Sequence, residues 1–193
     1  MHALVKGAQS GVVMVMVVLG LAGCGGQGSP STSASSPTSG GWVRPDAPPD
    51  PRTLLNAGAQ ALAQVPDSAL IFIQSQTDDV GTWKVQLVTP DGAEQQVKIA
   101  SDGVSVLVGP TPVDSSAAGE TKRRANVDGA HLDYRAAVER VLAAVPNGSI
   151  TELGLLDVNG TIVWDADVWD TDLVEHDVTV NAASGAITAN RQV

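Results

Sequence analysis

Cysteine is almost absent from this chain: one in 193 residues, Cys24. No intrachain disulfide can form, and a cysteine-rich zinc site is excluded. Aromatics are scarce, with four Trp, one Tyr and one Phe, which counts against a large stacking site. Basic charge is short too. Lys and Arg total 11 against 21 Asp and Glu, a net charge of −10. A phosphate backbone needs a basic face, so nucleic acid is not an expected partner. Gly-x-Ser-x-Gly, phosphate loops and His-Glu-x-x-His are all missing. What is present is a 43% hydrophobic composition, enough to bury the core of one medium domain or two small ones.

The first residues read as an address. Lys6 supplies a positive start, and residues 12–21 form an apolar run too short to cross a bilayer, which takes about 20 residues. Leu21-Ala22-Gly23-Cys24 follows directly. This resembles the lipobox of bacterial lipoproteins. The resemblance implies that residues 1–23 are a signal peptide and that Cys24 carries the lipid on the extracytoplasmic face of the cell membrane. All three Met precede Cys24, so the mature chain would be hard to oxidise. Residues 24–50 are rich in Gly, Ser, Thr and Pro. Such a segment has too little apolar surface to fold and is expected to act as a tether reaching about 25–30 Å. Trp42 is its one large apolar side chain.

The remainder repeats. Leu54, Ala57, Ala61 and Leu62 match Tyr134, Ala137, Val141 and Leu142, and Val65-Pro66 matches Val145-Pro146. Trp83 matches Trp164, and Gly103 matches Gly185. Each copy opens with an amphipathic helix. Tyr134, Ala137, Val138, Val141, Leu142 and Val145 share one face by helical spacing. Asp50 ahead of Pro51, and Asp133, are the expected N-caps. Pro66 and Pro146 end the helices, since proline lacks an amide donor. Strands are expected at 69–74, 82–88, 95–100 and 104–108, then at 150–157, 161–169, 174–181 and 186–190. Asn159-Gly160 is a hairpin signal. Trp83, Val85 and Leu87 share one face of a strand, as do Trp164, Ala166 and Val168, with polar residues between them. The expected fold is α+β: two tandem modules, 51–109 and 132–193, each one helix followed by a four-stranded antiparallel meander. Residues 110–131 are expected to be a linker whose Lys122-Arg123-Arg124 knot is a solvated, protease-sensitive loop.

The order of helix, Val-Pro break, Trp-led strand and Gly turn resembles the PepSY family. The residues carrying the likeness are Val178-Thr179-Val180-Asn181-Ala182-Ala183-Ser184-Gly185-Ala186-Ile187, with Asn181 where the family favours Asp. The match in copy one, around Val97 to Val104, is one residue shorter. The tandem architecture of the β-lactamase-inhibitory protein is a second likeness, but the disulfides and aromatic-rich concave face of that family are missing here. Likeness to PepSY implies binding or restraining a peptidase, with no catalytic residue and no cofactor.

The two histidines beyond the leader do not make a catalytic set. His131 sits at the end of the linker, and His176 shares strand parity with Val178 and Val180, as a partly covered sheet residue would. The strongest local feature is acidic: Asp165, Asp167, Asp170, Asp172, Glu175 and Asp177. Asp165 and Asp167 point the same way on a strand. With Asp170 and Asp172 they are the candidate ligands for a hard cation such as calcium, although no EF-hand pattern is present. The alternative is an acidic patch that steers a basic partner. The sequence thus reads as a non-enzymatic, lipid-anchored binding protein. Its expected partners are the membrane, through Cys24, and an envelope protein, with a peptidase as one case. The alternatives are a scaffold or sensor subunit and a calcium-responsive surface protein.

Overall fold

The computed structural model describes residues 50–76, 81–113 and 116–193. The leader, Cys24, the tether, Trp42 and most of the turn expected at 78–81 lie outside the described residues.

Helix α1 (Pro51–Gln64) starts where the Asp50 carboxylate accepts the Arg52 N–H, with proline at the first helical position. Helix α3 (Tyr134–Ala144) starts the same way, with the Asp133 carboxylate accepting the Ala136 N–H. Both caps satisfy donors that the first turn leaves unpaired. Each helix ends one residue before its Val-Pro pair, at Val65 (φ −130°, ψ 85°) and Val145 (φ −128°, ψ 83°). The chain then reverses through a left-handed residue, Asp67 (φ 62°) or Asn147 (φ 59°), two residue types that tolerate that region.

Strands follow in chain order: β1 (Ala69–Gln76), β2 (Thr82–Val88), β3 (Glu94–Ile99) and β4 (Val106–Pro112), then β5 (Ser149–Val158), β6 (Thr161–Trp169), β7 (Glu175–Asn181) and β8 (Ile187–Gln192). They form one eight-stranded antiparallel sheet in the order β4-β3-β2-β1-β5-β6-β7-β8. Within each half the strands pair with their neighbours in sequence. The halves meet where β1 pairs with β5 through Phe72↔Gly154, Ile73↔Leu153 and Gln74↔Glu152. The protein is therefore α+β with a single continuous sheet.

Helix α1 packs on β1, β2 and β3, and α3 on β5 to β8. Leu54, Ala57 and Ala61 of α1 are fully buried with Val85, Leu87, Val97 and Ile99. Tyr134, Ala137, Val138 and Val141 of α3 are buried in the same cluster, with Ala166, Val168, Val178 and Val180. Trp83 and Trp164 are each only 1% exposed, yet their polar ends differ. Trp164 Nε1 donates to the Leu132 carbonyl at 3.0 Å, whereas Trp83 Nε1 has no acceptor among the described residues. The chain just before α3 is extended and turns a carbonyl toward its tryptophan. The equivalent stretch of α1, offset by 80 residues, is already helical, and its carbonyls point along the helix.

The expected linker is corrected. β4 runs to Pro112, past the expected module end at 109, and a third helix, α2 (Ala117–Gly129), fills most of the segment. Ser116 caps it by accepting the Gly119 N–H, and Glu120 sits in its first turn, where the helix dipole favours an acid. Good helix formers follow at Lys122, Arg123, Arg124 and Ala125. None of its residues is fully buried, so it has no apolar stripe to betray it. It straps one end of the sheet. Arg123 Nε donates to the Gly92 carbonyl at 3.2 Å, and its guanidinium lies 3.4 Å from Glu94, with side chains 19% and 12% exposed. The basic knot is thus not a solvated loop: its middle residue is a docking contact.

Candidate functional site

Helices α1 and α3 cover one face of the sheet, and the opposite face holds the polar alternates of every central strand. Residues directly opposite in antiparallel strands share a face, so the register defines a row. Lys98 pairs with Lys84, Lys84 with Gln74, and Gln74 with Glu152. Glu152 pairs with Asp167, Asp167 with Asp177, and Asp177 with Arg191. Two lysines, a glutamine, three successive carboxylates and an arginine therefore cross seven strands in line. The next row holds Phe72, Gly154, Asp165 and Thr179.

Several contacts order this face. Gln74 Nε2 donates to Glu152, Thr179 Oγ1 donates to Asp165 at 2.9 Å, and Arg191 donates to Asp177 at 2.7 Å. Lys84 Nζ stands 4.9 Å from the centre of the Phe72 ring, within cation–π range. The ring lies over Gly154, where an added Cβ would sit 3.3 Å from Phe72 Cδ2. A hollow of about 50 Å³ opens between Phe72, Glu152, Gly154, Leu156, Asp165 and Asp167. Asp167 stands at the centre. Burial, then the charges of Glu152, Glu175, Asp165 and Asp177, push its carboxyl up to about 6. The other oxygen of Asp177, Oδ1, is buried without a partner among the described residues.

The four aspartates read as a candidate cation site do not converge. Asp165 and Asp167 belong to the open face. Asp170 instead builds the β6–β7 turn: its Oδ1 accepts the N–H groups of Asp172 and Val174, each at 2.9 Å. Its other oxygen, Oδ2, lies 3.1 Å from His176 Nε2. These bonds hold the Asp170 carboxyl below the usual range, the Val174 amide contributing most. Among the described residues no group of three or more His, Cys, Asp or Glu is placed to hold a metal ion. His176 lies on the helix side, paired with Val168, as its parity with Val178 and Val180 requires. His131 is exposed at the surface. Glu152, Phe72 and Arg191 are the members that sequence reasoning missed. Each looks ordinary on its own strand and joins the site only through register.

A second hollow of about 380 Å³ lies where α1 ends, α2 ends and α3 begins, over Leu70, Leu155 and Trp164. Tyr134 closes one side by donating its hydroxyl to the Leu55 carbonyl at 3.2 Å. Its lining is mainly apolar, with Ser68, His131, Asp133 and Arg135 as polar members.

No family model matches the chain, and no curated protein does. Among solved structures it is similar to CD1622 of Clostridium difficile 630, a candidate lipoprotein, at 18% identity and a TM-score of 0.43. That alignment covers 68% of this chain and 87% of the other.

Proposed function

We propose that this protein is a lipid-anchored extracytoplasmic binding protein that takes a basic segment of an envelope protein on its open sheet face. The observation that carries the reading is the row of three carboxylates, Glu152, Asp167 and Asp177, in register across β5, β6 and β7. Like charges directly opposite destabilise a sheet. A cationic partner offsets that repulsion, and an acidic field speeds its arrival. Phe72 at the border of the row holds Lys84 over its ring, a cation–π pairing that an incoming lysine or arginine would exchange for its own. Leu21-Ala22-Gly23-Cys24 supports the anchor, with Cys24 as the lipidated residue.

In the same reading the chain is two PepSY-like modules merged through β1 and β5. The repeated Val-Pro breaks, the buried Trp83 and Trp164, and the left-handed Gly103 (φ 71°) and Gly185 (φ 73°) support this. Likeness to PepSY points to a peptidase as the protein bearing the basic segment. Two experiments test the proposal. Cys24→Ser in the native host should move the protein from the membrane to the soluble fraction, and unchanged membrane recovery refutes the anchor. The full chain in detergent should bind a fluorescent lysine-rich peptide more tightly than a glutamate-rich one. That preference should fade in salt, because screening shortens to about 3 Å at 1 M, and in an Asp167→Asn, Asp177→Asn double variant. Equal binding of both peptides refutes the face.

A further inference from the structure

The last strand, β8, forms one edge of the sheet and pairs with β7 alone. Most of its residues are exposed, so little apolar burial holds it. On the helix side it is held through Asn190. The Asn190 side chain donates from Nδ2 to the Ala144 carbonyl at the end of α3, at 3.3 Å. That contact fixes which way the amide points, since the reverse orientation would set two oxygens against each other. Asn190 Oδ1 is then left facing His176 Nδ1 at 3.0 Å. The other ring nitrogen, Nε2, faces the Asp170 carboxylate at 3.1 Å. Both nitrogens of one imidazole therefore meet oxygen acceptors. A neutral ring carries one N–H and can satisfy only one of them; the imidazolium satisfies both.

We propose that His176 is a protonation-operated latch for the C-terminal strand. With both N–H groups present it ties the β6–β7 turn to β8 and, through Asn190, to the end of α3. The proton that leaves is the one on Nδ1, because the bond from Nε2 to the Asp170 carboxylate is charge-assisted and the stronger of the two. Its loss sets the Nδ1 lone pair against Asn190 Oδ1 and lets β8 move off.

The surroundings favour the charged ring. Asp170 faces it from the turn, and the carbonyl end of α3, at Ala144, has no basic residue in its last turn and so presents partial negative charge. Val168 on β6 and Gln192 on β8 pair beside His176 and carry no charge. Glu175, Asp177 and Arg191 project to the opposite face by strand alternation, the last two bonded to each other. Asp172, in the same turn as Asp170, is exposed to solvent. The bonds to Asn190 and Asp170 raise the affinity of His176 for its proton. The side chains of His176 and Asp170 are 13% and 22% exposed, so water reaches the pair and trims the effect. The latch is closed below the ordinary histidine value of about 6.5. It opens as pH rises through the raised value of His176. Each ten-fold gain in proton affinity becomes a ten-fold loss in the closed-to-open ratio on deprotonation.

The test uses the full chain in detergent and NMR of the His176 ring. His176 is expected to titrate above the ordinary histidine value of about 6.5. Amide-exchange protection of β8, corrected for the intrinsic rise of exchange with pH, should fall between about pH 5.5 and pH 8.5, with β1 and β2 unchanged. His176→Gln should leave β8 weakly protected at both pH values. Titration of His176 at or below about 6.5 overturns the latch. So does equal corrected protection of wild-type β8 at the two pH values, a result that does not depend on whether the variant folds.

Discussion

Asp167 is where the open face is under most electrostatic load, and removing its charge gives a measurable outcome. Its carboxyl is raised from 3.8 to about 6. Taken at face value that is an ionisation penalty of about 3 kcal/mol above pH 6. The side chain is only half-buried, however, and solvent screens the neighbouring charges. About 1 kcal/mol is the expected remainder. The sign is fixed by where the proton binds more tightly. The folded state holds it better than the unfolded chain, so the penalty is absent below about 3.8, grows up to about 6 and is complete above that. Asp167→Asn keeps the shape and removes the charge. It should stabilise the protein by about 1 kcal/mol at pH 7.5, raising Tm by about 3 °C. Near pH 3.5 it should do nothing. Thermal unfolding followed by circular dichroism at both pH values decides it. No gain at pH 7.5, or an equal gain at both, would refute the account of this face as a strained row of carboxylates.

Three further outcomes follow from the packing. Trp164→Phe strips a bonded indole N–H and leaves the Leu132 carbonyl short of a donor; Trp83→Phe strips one that has no acceptor among the described residues. The lost volume is the same, so Trp164→Phe should cost about 1–2 kcal/mol more in urea unfolding, and equal costs would contradict the difference between the two sites. Trypsin should spare residues 122–124 in the folded protein, because α2 is docked there. Gly92→Ala should expose them, since its Cβ would stand 2.6 Å from the Glu120 carbonyl oxygen at a φ of +94°; cleavage of the unaltered chain at that knot would argue against the strap. Gly58→Ala places a methyl 2.6 Å from the Tyr134 ring, where α1 meets α3, and should cost about 1–3 kcal/mol. At Gly109 nothing lies within 4 Å of an added Cβ, so Gly109→Ala serves as the neutral control in the same denaturation series.

Much of the local architecture is legible in the residues themselves. Asp50 and Asp133 cap helices because a carboxylate ahead of a helical run satisfies free amides. Val65-Pro66 and Val145-Pro146 stop them because proline can neither donate nor fit one turn on. The alternation of Trp83, Val85 and Leu87 with Lys84 and Gln86 fixes which residues turn inward. α2 escapes this logic. It lacks a buried stripe, and its signals are a serine cap and good helix formers inside a segment bounded by Pro112 and Gly129. Its place depends on Arg123 reaching the Gly92 turn, a contact between residues 31 apart in sequence.

The acidic site divides along the same line. That Asp165 and Asp167 share a direction follows from the two-residue period of a strand, a local property. That Asp170 turns away to build a loop and meet His176 depends on the path of the β6–β7 turn. Placing Glu152 beside Asp167, and Gln74 beside Glu152, requires the register of β5 against β6 and of β1 against β5. The sequence by itself determined α1, α3 and the eight strands, the two aspartate caps and the inward faces, because those are set by neighbours a few bonds or one helical turn away. Tertiary structure alone decided that β1 would pair with β5 into one sheet, and so which charges stand in line. Side-chain alternation says which face a residue takes, while position along the row is chosen by the docking of strands far apart in the chain.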